Sequence, residues 1–263
     1  MVLSIELVTL RSRFGPGQCR TCVRAGLRAC TASAPGVVSP RYPAVRSLRD
    51  LQAAHPSLLL IDAASAWVHV CWINQAGEIR WGQREGEAGQ VLFPLIAESG
   101  ADLAAVDAFV HCEGPGSILG IRTAAAAIRT WIALRERPVW SYRSLELPAR
   151  CHGQIGDAFI CDARRQSWHR LAVVGTEGQL GPIERVPATE LNAGSCHLPA
   201  GFRTWTPLPD PAPRTVPYEP AQLTGNLIDV PLLRECPEPD AFQHEAPSYQ
   251  LWEPKVHQAP ASS

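Results

Sequence analysis

From residue 58 onward, short apolar runs alternate with polar, glycine-containing turns, a pattern typical of an α/β domain. The run Leu58–Asp62 is almost entirely apolar, which predicts a buried strand. Trp67–Ile73 predicts a second strand, in which Val68, Val70 and Trp72 face one way and the intervening side chains the other. Three further segments, shorter or equally apolar, predict strands as well: residues 78–82, 106–112 and 139–142.

Two longer segments between these strands carry apolar residues at helical spacing. Residues 87–99 predict a helix that Pro94 kinks or that begins at Pro94, and residues 118–135 predict a longer, alanine-rich helix. A short helix opens at Leu145. The order strand-strand-strand-helix-strand-helix-strand is that of one ribonuclease-H-like half of the actin/Hsp70/sugar-kinase (ASKHA) architecture, although a generic α/β domain has the same order.

The second half is less regular, and we expect it to be a reduced copy of such a half. Residues 157–162 and 168–174 predict a pair of strands, and residues 223–234 a short helix interrupted by Pro231. Seven prolines between residues 199 and 220 predict a surface loop. The predicted organisation is therefore a first subdomain over 58–148, a reduced second subdomain over 149–250 and a flexible tail over 251–263.

The first 57 residues have a different composition. They hold eight arginines but only two acidic residues, and their apolar residues show no sustained period after Leu10. We expect this extension to be disordered, or to be absent because translation begins downstream at a non-AUG codon near Val37, Val38, Val45 or Leu51. N-terminal sequencing of the native protein tests this, since a peptide from residues 11–24 would contradict a downstream start.

Composition narrows the function classes. The net charge is −1 overall, and the first 57 residues carry +6. The chain after residue 57 therefore carries about −7, a charge that is not typical of a nucleic-acid binder. The sequence contains no run of about 18 apolar residues, so it predicts no membrane span. Nine cysteines, mostly within apolar runs, indicate buried reduced thiols and a cytoplasmic location. Cys19, Cys22 and Cys30 have the spacing of a zinc site, but no fourth ligand lies nearby.

The most informative segment is the turn at Gly114, Pro115, Gly116 and Ser117, between a predicted strand and the helix 118–135. Glycines permit positive φ or close backbone approach, proline fixes φ, and Ser117 is placed to cap the helix. Such a turn either is purely structural or gathers free N–H groups around an anion, such as a nucleotide phosphate. It has neither the Gly-Lys-Ser/Thr of a P-loop nor the GxGxxG pattern.

Residues 113–122 resemble the Gly-Pro-Gly-Ser-Phe-Thr-Gly-Val-Arg signature of the TsaB (YeaZ) family. Further segments match that family in sequence order: Leu58–Asp62, residues 92–96, 144–146, 161–165 and 249–254. The resemblance implies an ASKHA fold and a non-catalytic subunit that pairs with the catalytic protein TsaD and, with the ATPase TsaE, supports threonylcarbamoylation of adenosine 37 in tRNA. It implies no cofactor and only indirect contact with tRNA. Alone, such a subunit is expected as a monomer or homodimer.

Two aspartates are candidates for a nucleotide site beside the turn. Asp62 ends the first strand, where catalytic relatives of the fold hold a metal–phosphate group, but Ala63 and Ala64 follow it in place of hydroxyl residues, which favours a structural role. Asp162 ends the strand that opens the second half, and with Arg164 it forms either a charge pair in the cleft or a surface pair of little consequence. The sequence carries no His-x-x-x-His pair, so we expect no metal site.

The resemblance places the TsaD interface on the helices of the first half. The candidate contact residues are mostly apolar side chains on the segments 87–99 and 118–135: Leu92, Ile96, Arg122, Ile128, Trp131 and Ile132. We expect Trp131→Ala to weaken partner binding while the monomer remains folded. The alternatives are an ATP- and magnesium-dependent small-molecule kinase or carbamoyltransferase of the same fold, or a diverged paralogue with another partner.

Overall fold

The structure is a computed structural model that describes residues 45–175 and 178–243. Within these residues the helices are α1 (Leu48–Ala54), α2 (Ala88–Ser99), α3 (Ile118–Leu134) and α4 (Glu146–His152). The strands are β1 (Val45–Arg46), β2 (Leu58–Asp62), β3 (Trp67–Ile73), β4 (Ile79–Glu85), β5 (Ala108–Gly114), β6 (Val139–Arg143), β7 (Ala158–Asp162), β8 (Ser167–Val173), β9 (Leu180–Pro187), β10 (Cys196–Pro199), β11 (Arg214–Val216) and β12 (Leu233–Glu235).

Seven strands form the first sheet, in the order β1-β12-β6-β5-β2-β3-β4. Strands β2, β5 and β6 run parallel to one another, whereas β3 and β4 continue the sheet as antiparallel neighbours of β2. The five strands from β6 to β4 therefore have the ribonuclease-H-like order. In the chain, α2 connects β4 to β5, and α3 connects β5 to β6. This confirms the fold predicted for the first half, and β4 lies at the sheet edge.

The side chains of β2 alternate between two hydrophobic cores, one on each face of the first sheet. Leu58 and Leu60 belong to a cluster that includes residues of α1, α4 and the second sheet. Leu59 and Ile61 belong to the other cluster, which α2 and α3 cover. Because successive side chains of a strand point to opposite faces, one continuous apolar run supplies both cores. Strand β2 is buried at every position for this reason.

The second sheet repeats the topology of the first half. Its order is β11-β10-β7-β8-β9, with β10 and β11 parallel to β7 and with β8 and β9 antiparallel. All five strand positions are filled. The reduction lies in the connections, since a single 3₁₀ turn at Ala193–Ser195 and an irregular segment stand where α2 and α3 stand in the first half.

The proline-rich segment 199–220 is more than a loop. Residues 200–213 connect two parallel strands, and Arg214–Val216 then forms β11 at the edge of the second sheet. An edge strand tolerates proline neighbours because one side of it donates no ladder hydrogen bonds. The segment therefore takes the place of a crossover helix. The prediction that it is wholly a loop is wrong at Arg214–Val216, which form β11.

Two further predictions are wrong. Residues 223–234 do not form a helix: the chain there makes a 3₁₀ turn at Pro220–Thr224 and then enters β12, which pairs with β6. Residues 45–57 are not disordered, because Ser47 and Asp50 form a reciprocal capping box on α1 and Leu51 is fully buried. Residues 1–44 and the tail 251–263 lie outside the described part of the chain.

Three of the predicted buried cysteines, Cys71, Cys112 and Cys161, are free thiols inside the protein. Burial raises the pKa of the Cys71 thiol to about 12, so this group stays protonated. Cys19, Cys22 and Cys30 fall outside the described residues. Across residues 45–175 and 178–243, no helix combines the length and apolar character that crossing a membrane requires.

Candidate functional site

A cleft lies between the two sheets, at the ends of β2, β5 and β7. The turn after β5 lines it with Pro115, Gly116 and Ser117, and the end of β7 lines it with Asp162. The structure thus brings the predicted turn and Asp162 together. Asp62 is 2% exposed and does not line the cavity, whereas Ala64, two residues on, does.

Asp62 is held by donors from the protein itself. Its Oδ2 accepts hydrogen bonds from the hydroxyls of Tyr142 and Tyr218, each at 2.6 Å, and its Oδ1 accepts the Ala64 N–H at 2.9 Å. Burial and the adjacent Asp62 charge raise the pKa of both tyrosines well above the usual range, so they remain donors. The Asp62 carboxylate is therefore engaged by hydrogen bonds from the protein itself, as is typical of a structural group.

The glycine turn packs onto the end of β2. A Cβ on Gly116 would lie 2.3 Å from the Ala64 carbonyl oxygen, so only glycine fits there. The Ser117 N–H donates to that same oxygen at 2.7 Å. Ser117 does occupy the N-cap of α3, but its side chain makes no capping hydrogen bond, contrary to the prediction. One of the N–H groups expected to face an anion is therefore already satisfied by the chain.

Asp162 organises a loop instead of pairing with the Arg164 guanidinium. Its carboxylate accepts the backbone N–H groups of Arg164, Trp205 and Thr206, and also the Thr206 hydroxyl at 3.2 Å. The Arg164 guanidinium lies over the Trp205 ring instead, 4.1 Å from its centroid. The predicted Asp–Arg charge pair is thus wrong, because the backbone donors already fill the carboxylate.

Two opposing effects act on the pKa of Asp162. Burial raises it, but the hydrogen bonds from Thr206, Trp205 and Arg164 together outweigh burial and hold the pKa below its ordinary value. Because the folded-state pKa is depressed, the carboxylate contributes stability above the unfolded-state pKa of about 4. That contribution is lost as the pH falls through the folded-state value.

We expect Asp162→Ala to lower the free energy of unfolding by about 2 kcal/mol at pH 7, because several charge-assisted hydrogen bonds to one loop disappear together. Chemical denaturation measures this. Asp229→Ala is the matched control, since Asp229 is exposed and pairs with the exposed Arg49. The difference between wild type and Asp162→Ala should shrink below pH 4; a difference that grows on acidification would contradict this role.

The cleft is small and offers few side chains that could coordinate a metal ion. Its cavity has a volume of about 60 Å³, against roughly 300–1,000 Å³ for common ligand pockets. Within the described residues, no group of three or more His, Cys, Asp or Glu side chains is placed to hold a metal ion. Hydrogen bonds from Tyr142 of the first half and Tyr218 of the second join the two halves at Asp62, whereas those to Asp162 stay within the second half.

Several residues of this site were not predicted from the sequence. Tyr142 and Tyr218 donate hydrogen bonds to the Asp62 carboxylate. The Glu113 carboxylate accepts hydrogen bonds from Arg143 and Ser141, each at 3.0 Å. A glutamate directly before the glycine turn was a signal available in the sequence. The tyrosines carried none, because one lies on a strand and the other lies within the proline-rich segment 199–220.

Burial corrects the predicted partner interface. Leu92, Ile96 and Ile128 are buried in the core under α2 and α3, so they cannot form an exposed contact surface. Ile132 is half-buried, and exposed Arg122 lies 3.6 Å from Asp240. The predicted surface therefore loses three of its four aliphatic members.

Trp131 is half-buried and packs against the core from outside. Its ring stacks on buried Phe109 with centroids 5.5 Å apart and meets exposed Phe93 edge-on at 6.4 Å. Trp131→Ala would therefore remove packing within the monomer as well as any contact with a partner. Phe93, which is 52% exposed, is the cleaner probe of this surface.

Comparison with solved structures gives several similar folds. YeaZ from Pseudomonas aeruginosa is 21% identical, with a TM-score of 0.45 over 54% of this chain and 75% of that one. A second protein from that organism, described as similar to peptidase YeaZ, is 20% identical, with a TM-score of 0.45 over 66% and 94%. The ethanolamine utilization protein EutJ from Carboxydothermus hydrogenoformans is 13% identical, with a TM-score of 0.30 over 50% and 52%.

No family model matches the sequence, and no curated protein matches it. These solved structures are similar to this chain at 13–21% identity and TM-scores of 0.30–0.45. At these identities the likeness concerns the fold, and neither a partner nor a substrate follows from it.

Proposed function

We propose that this chain is a non-catalytic subunit that binds a TsaD-type catalytic protein and, with a TsaE-type ATPase, supports threonylcarbamoylation of adenosine 37 in tRNA. The observation that carries the proposal is the outer surface of α2 and α3. This surface, here called the helix face, is apolar, exposed and nearly free of charge.

Side chains on the helix face are unusually apolar for a solvent-exposed position. Phe93 is 52% exposed and Leu119 is 70% exposed. Across both helices the only charged residues are Glu98, Arg122 and Arg129, and Glu98 is engaged with Arg84 at 2.7 Å. An exposed apolar surface with few charges is typical of protein–protein contacts. The helix face thus has the character of a docking surface for a folded protein.

The closed cleft supports the non-catalytic part of the proposal. Metal–phosphate chemistry needs carboxylate oxygens that are free to bind a cation. Here Asp62 and Asp162 accept several hydrogen bonds from the chain itself. Opening either carboxylate to a metal would leave buried or partly buried donors without acceptors, which is costly. A supporting role beside a catalytic partner needs no such opening.

The test is to mix the full chain with the TsaD protein of the same organism and to measure the mass of the complex by size-exclusion chromatography with light scattering. We expect a one-to-one complex. Phe93→Asp should weaken it about 30-fold, which corresponds to about 2 kcal/mol, because a charge is then desolvated at the contact. Ala126→Asp, on the exposed side of α3, should act likewise without removing a ring.

Ile155→Asp is the matched control, since Ile155 is 59% exposed but lies between α4 and β7, away from the helix face. It should leave the complex unchanged. If the folded protein forms no complex with TsaD, the proposal is wrong. Turnover of magnesium–ATP by the isolated chain would then favour a small-molecule kinase or carbamoyltransferase, and its absence would favour a paralogue with another partner.

A further inference from the structure

The loop that Asp162 fixes presents a large aromatic ring to solvent. Trp205 is 57% exposed, while the next residue, Thr206, is buried. The backbone N–H groups of both residues donate to Asp162, so the loop is held in place while the ring projects outward. The Arg164 guanidinium lies over the ring. This ring is therefore a fixed, exposed aromatic platform beside a cation.

The adjacent turn between β7 and β8 has a rare backbone. Arg164, Arg165 and Gln166 all adopt the left-handed conformation, with φ of 59°, 51° and 55°. Non-glycine residues enter this region singly and at a cost, and they persist in it only where surrounding bonds enforce the conformation. Here the Ser167 N–H donates to the Arg164 carbonyl oxygen at 3.1 Å, and the Ala188 N–H donates to that of Gln166 at 2.8 Å. The turn directs two consecutive arginines out of the sheet.

Positive charge collects around Trp205. Arg164 and Arg165 are both exposed, and within the described residues the Arg165 guanidinium makes no hydrogen bond or ion pair. A depression of about 370 Å³ separates the two elements, lined by the turn and by the loop: Arg164, Arg165, Gln166, Trp205, Thr206 and Pro207. The neighbouring carboxylate, Asp162, is already filled by four donors.

We propose that this surface, the Arg–Trp platform, binds a nucleotide, with a base stacked on Trp205 and a phosphate beside Arg164 and Arg165. Stacking on an exposed aromatic ring and charge neutralisation by arginine are the two contacts that recognise single-stranded nucleic acid without reading its sequence. The nucleotide can be free or part of an RNA strand. The platform is built by the β7–β8 turn and the loop after β10, not by α2 or α3, so the proposal does not depend on whether TsaD binds.

The test uses the full chain and two probes, a fluorescein-labelled 12-nucleotide single-stranded RNA and a fluorescent derivative of AMP, with affinity read by anisotropy. Trp205→Ala should weaken binding about ten-fold through lost stacking. Arg165→Gln should weaken it and reduce the slope of log K against log salt concentration by about 0.7, the value for one phosphate contact on a single strand. Trp205→Ala should leave that slope unchanged.

Arg80→Gln is the matched control, since Arg80 is also an exposed arginine near a tryptophan, 5.9 Å from the Trp72 ring, but on the first sheet. It should change neither affinity nor slope. Binding of RNA alone identifies a strand as the ligand, and competition by AMP identifies the free nucleotide; either supports the platform. Equal affinities of wild type, Trp205→Ala and Arg165→Gln for both probes, or no binding by wild type, would overturn it.

Discussion

Asp62→Ala is expected to lower the free energy of unfolding by about 4 kcal/mol, the largest effect of any single substitution considered. The alanine leaves two buried tyrosine hydroxyls, those of Tyr142 and Tyr218, without their acceptor. An orphaned buried donor costs about 1–3 kcal/mol, and the N–H of Ala64 loses its partner as well. For a chain of this size the melting temperature should fall by roughly 8–16 °C.

Thermal and urea denaturation of the variant against wild type measure this loss. Asp102→Ala is the matched control, because Asp102 also accepts a backbone N–H two residues on, that of Ala104 at 2.9 Å, but at an exposed site. Its cost should stay below about 1 kcal/mol. If Asp62→Ala instead leaves stability unchanged or raises it, Asp62 is not a structural group, and a functional role under the kinase-like alternative gains support.

Stability is also expected to fall by about 2 kcal/mol between pH 7 and pH 5. His111 on β5 is completely buried, and this burial lowers its pKa to about 4 despite the attraction of Glu113. The unfolded chain, with a histidine pKa near 6.5, binds more protons in this window, so the folded state loses stability as the pH falls. His69, whose pKa burial also lowers, adds to the same trend.

Urea denaturation at several pH values measures the slope. His111→Gln should flatten it, because glutamine has no proton to take up, whereas replacement of the exposed His152 by glutamine should leave it in place. The neighbouring thiol of Cys236, 3.5 Å from His111 Nε2, stays protonated because burial raises its pKa. A slope of the same size in His111→Gln would show that other groups carry the pH dependence.

Local patterns predicted the first half of the fold well. The strands Leu58–Asp62 and Trp67–Ile73 were placed correctly, and the alternation of Val68 and Val70 against Cys71 and Ile73 does divide them between the two cores. Helix α3 was misplaced by one residue at its end. These elements are predictable because strand and helix periodicity depend on near neighbours in the chain.

In the second half the predicted strands at 157–162 and 168–174 are confirmed as β7 and β8, but the remaining elements were not predicted because they are short. The two halves share strand order and direction but no evident sequence repeat, so their topological equivalence emerges only in the sheets, where the aspartates that end β2 and β7 take matching positions. Strands β11 and β12 have three residues each, too few to show a period. Their pairing partners, β10 and β6, decide their conformation.

The sequence by itself determined where the strands and helices of the first half form, that glycine must follow β5, and that an aspartate ends the first strand of each half. Tertiary structure alone decided what those aspartates do. The hydroxyls that close Asp62 come from residues 80 and 156 positions away, and the loop that fills Asp162 begins more than 40 positions later. Burial likewise moved Leu92, Ile96 and Ile128 into the core and left Phe93 exposed. Hydrogen bonds and burial between distant segments depend on how the whole chain packs, which no local pattern encodes.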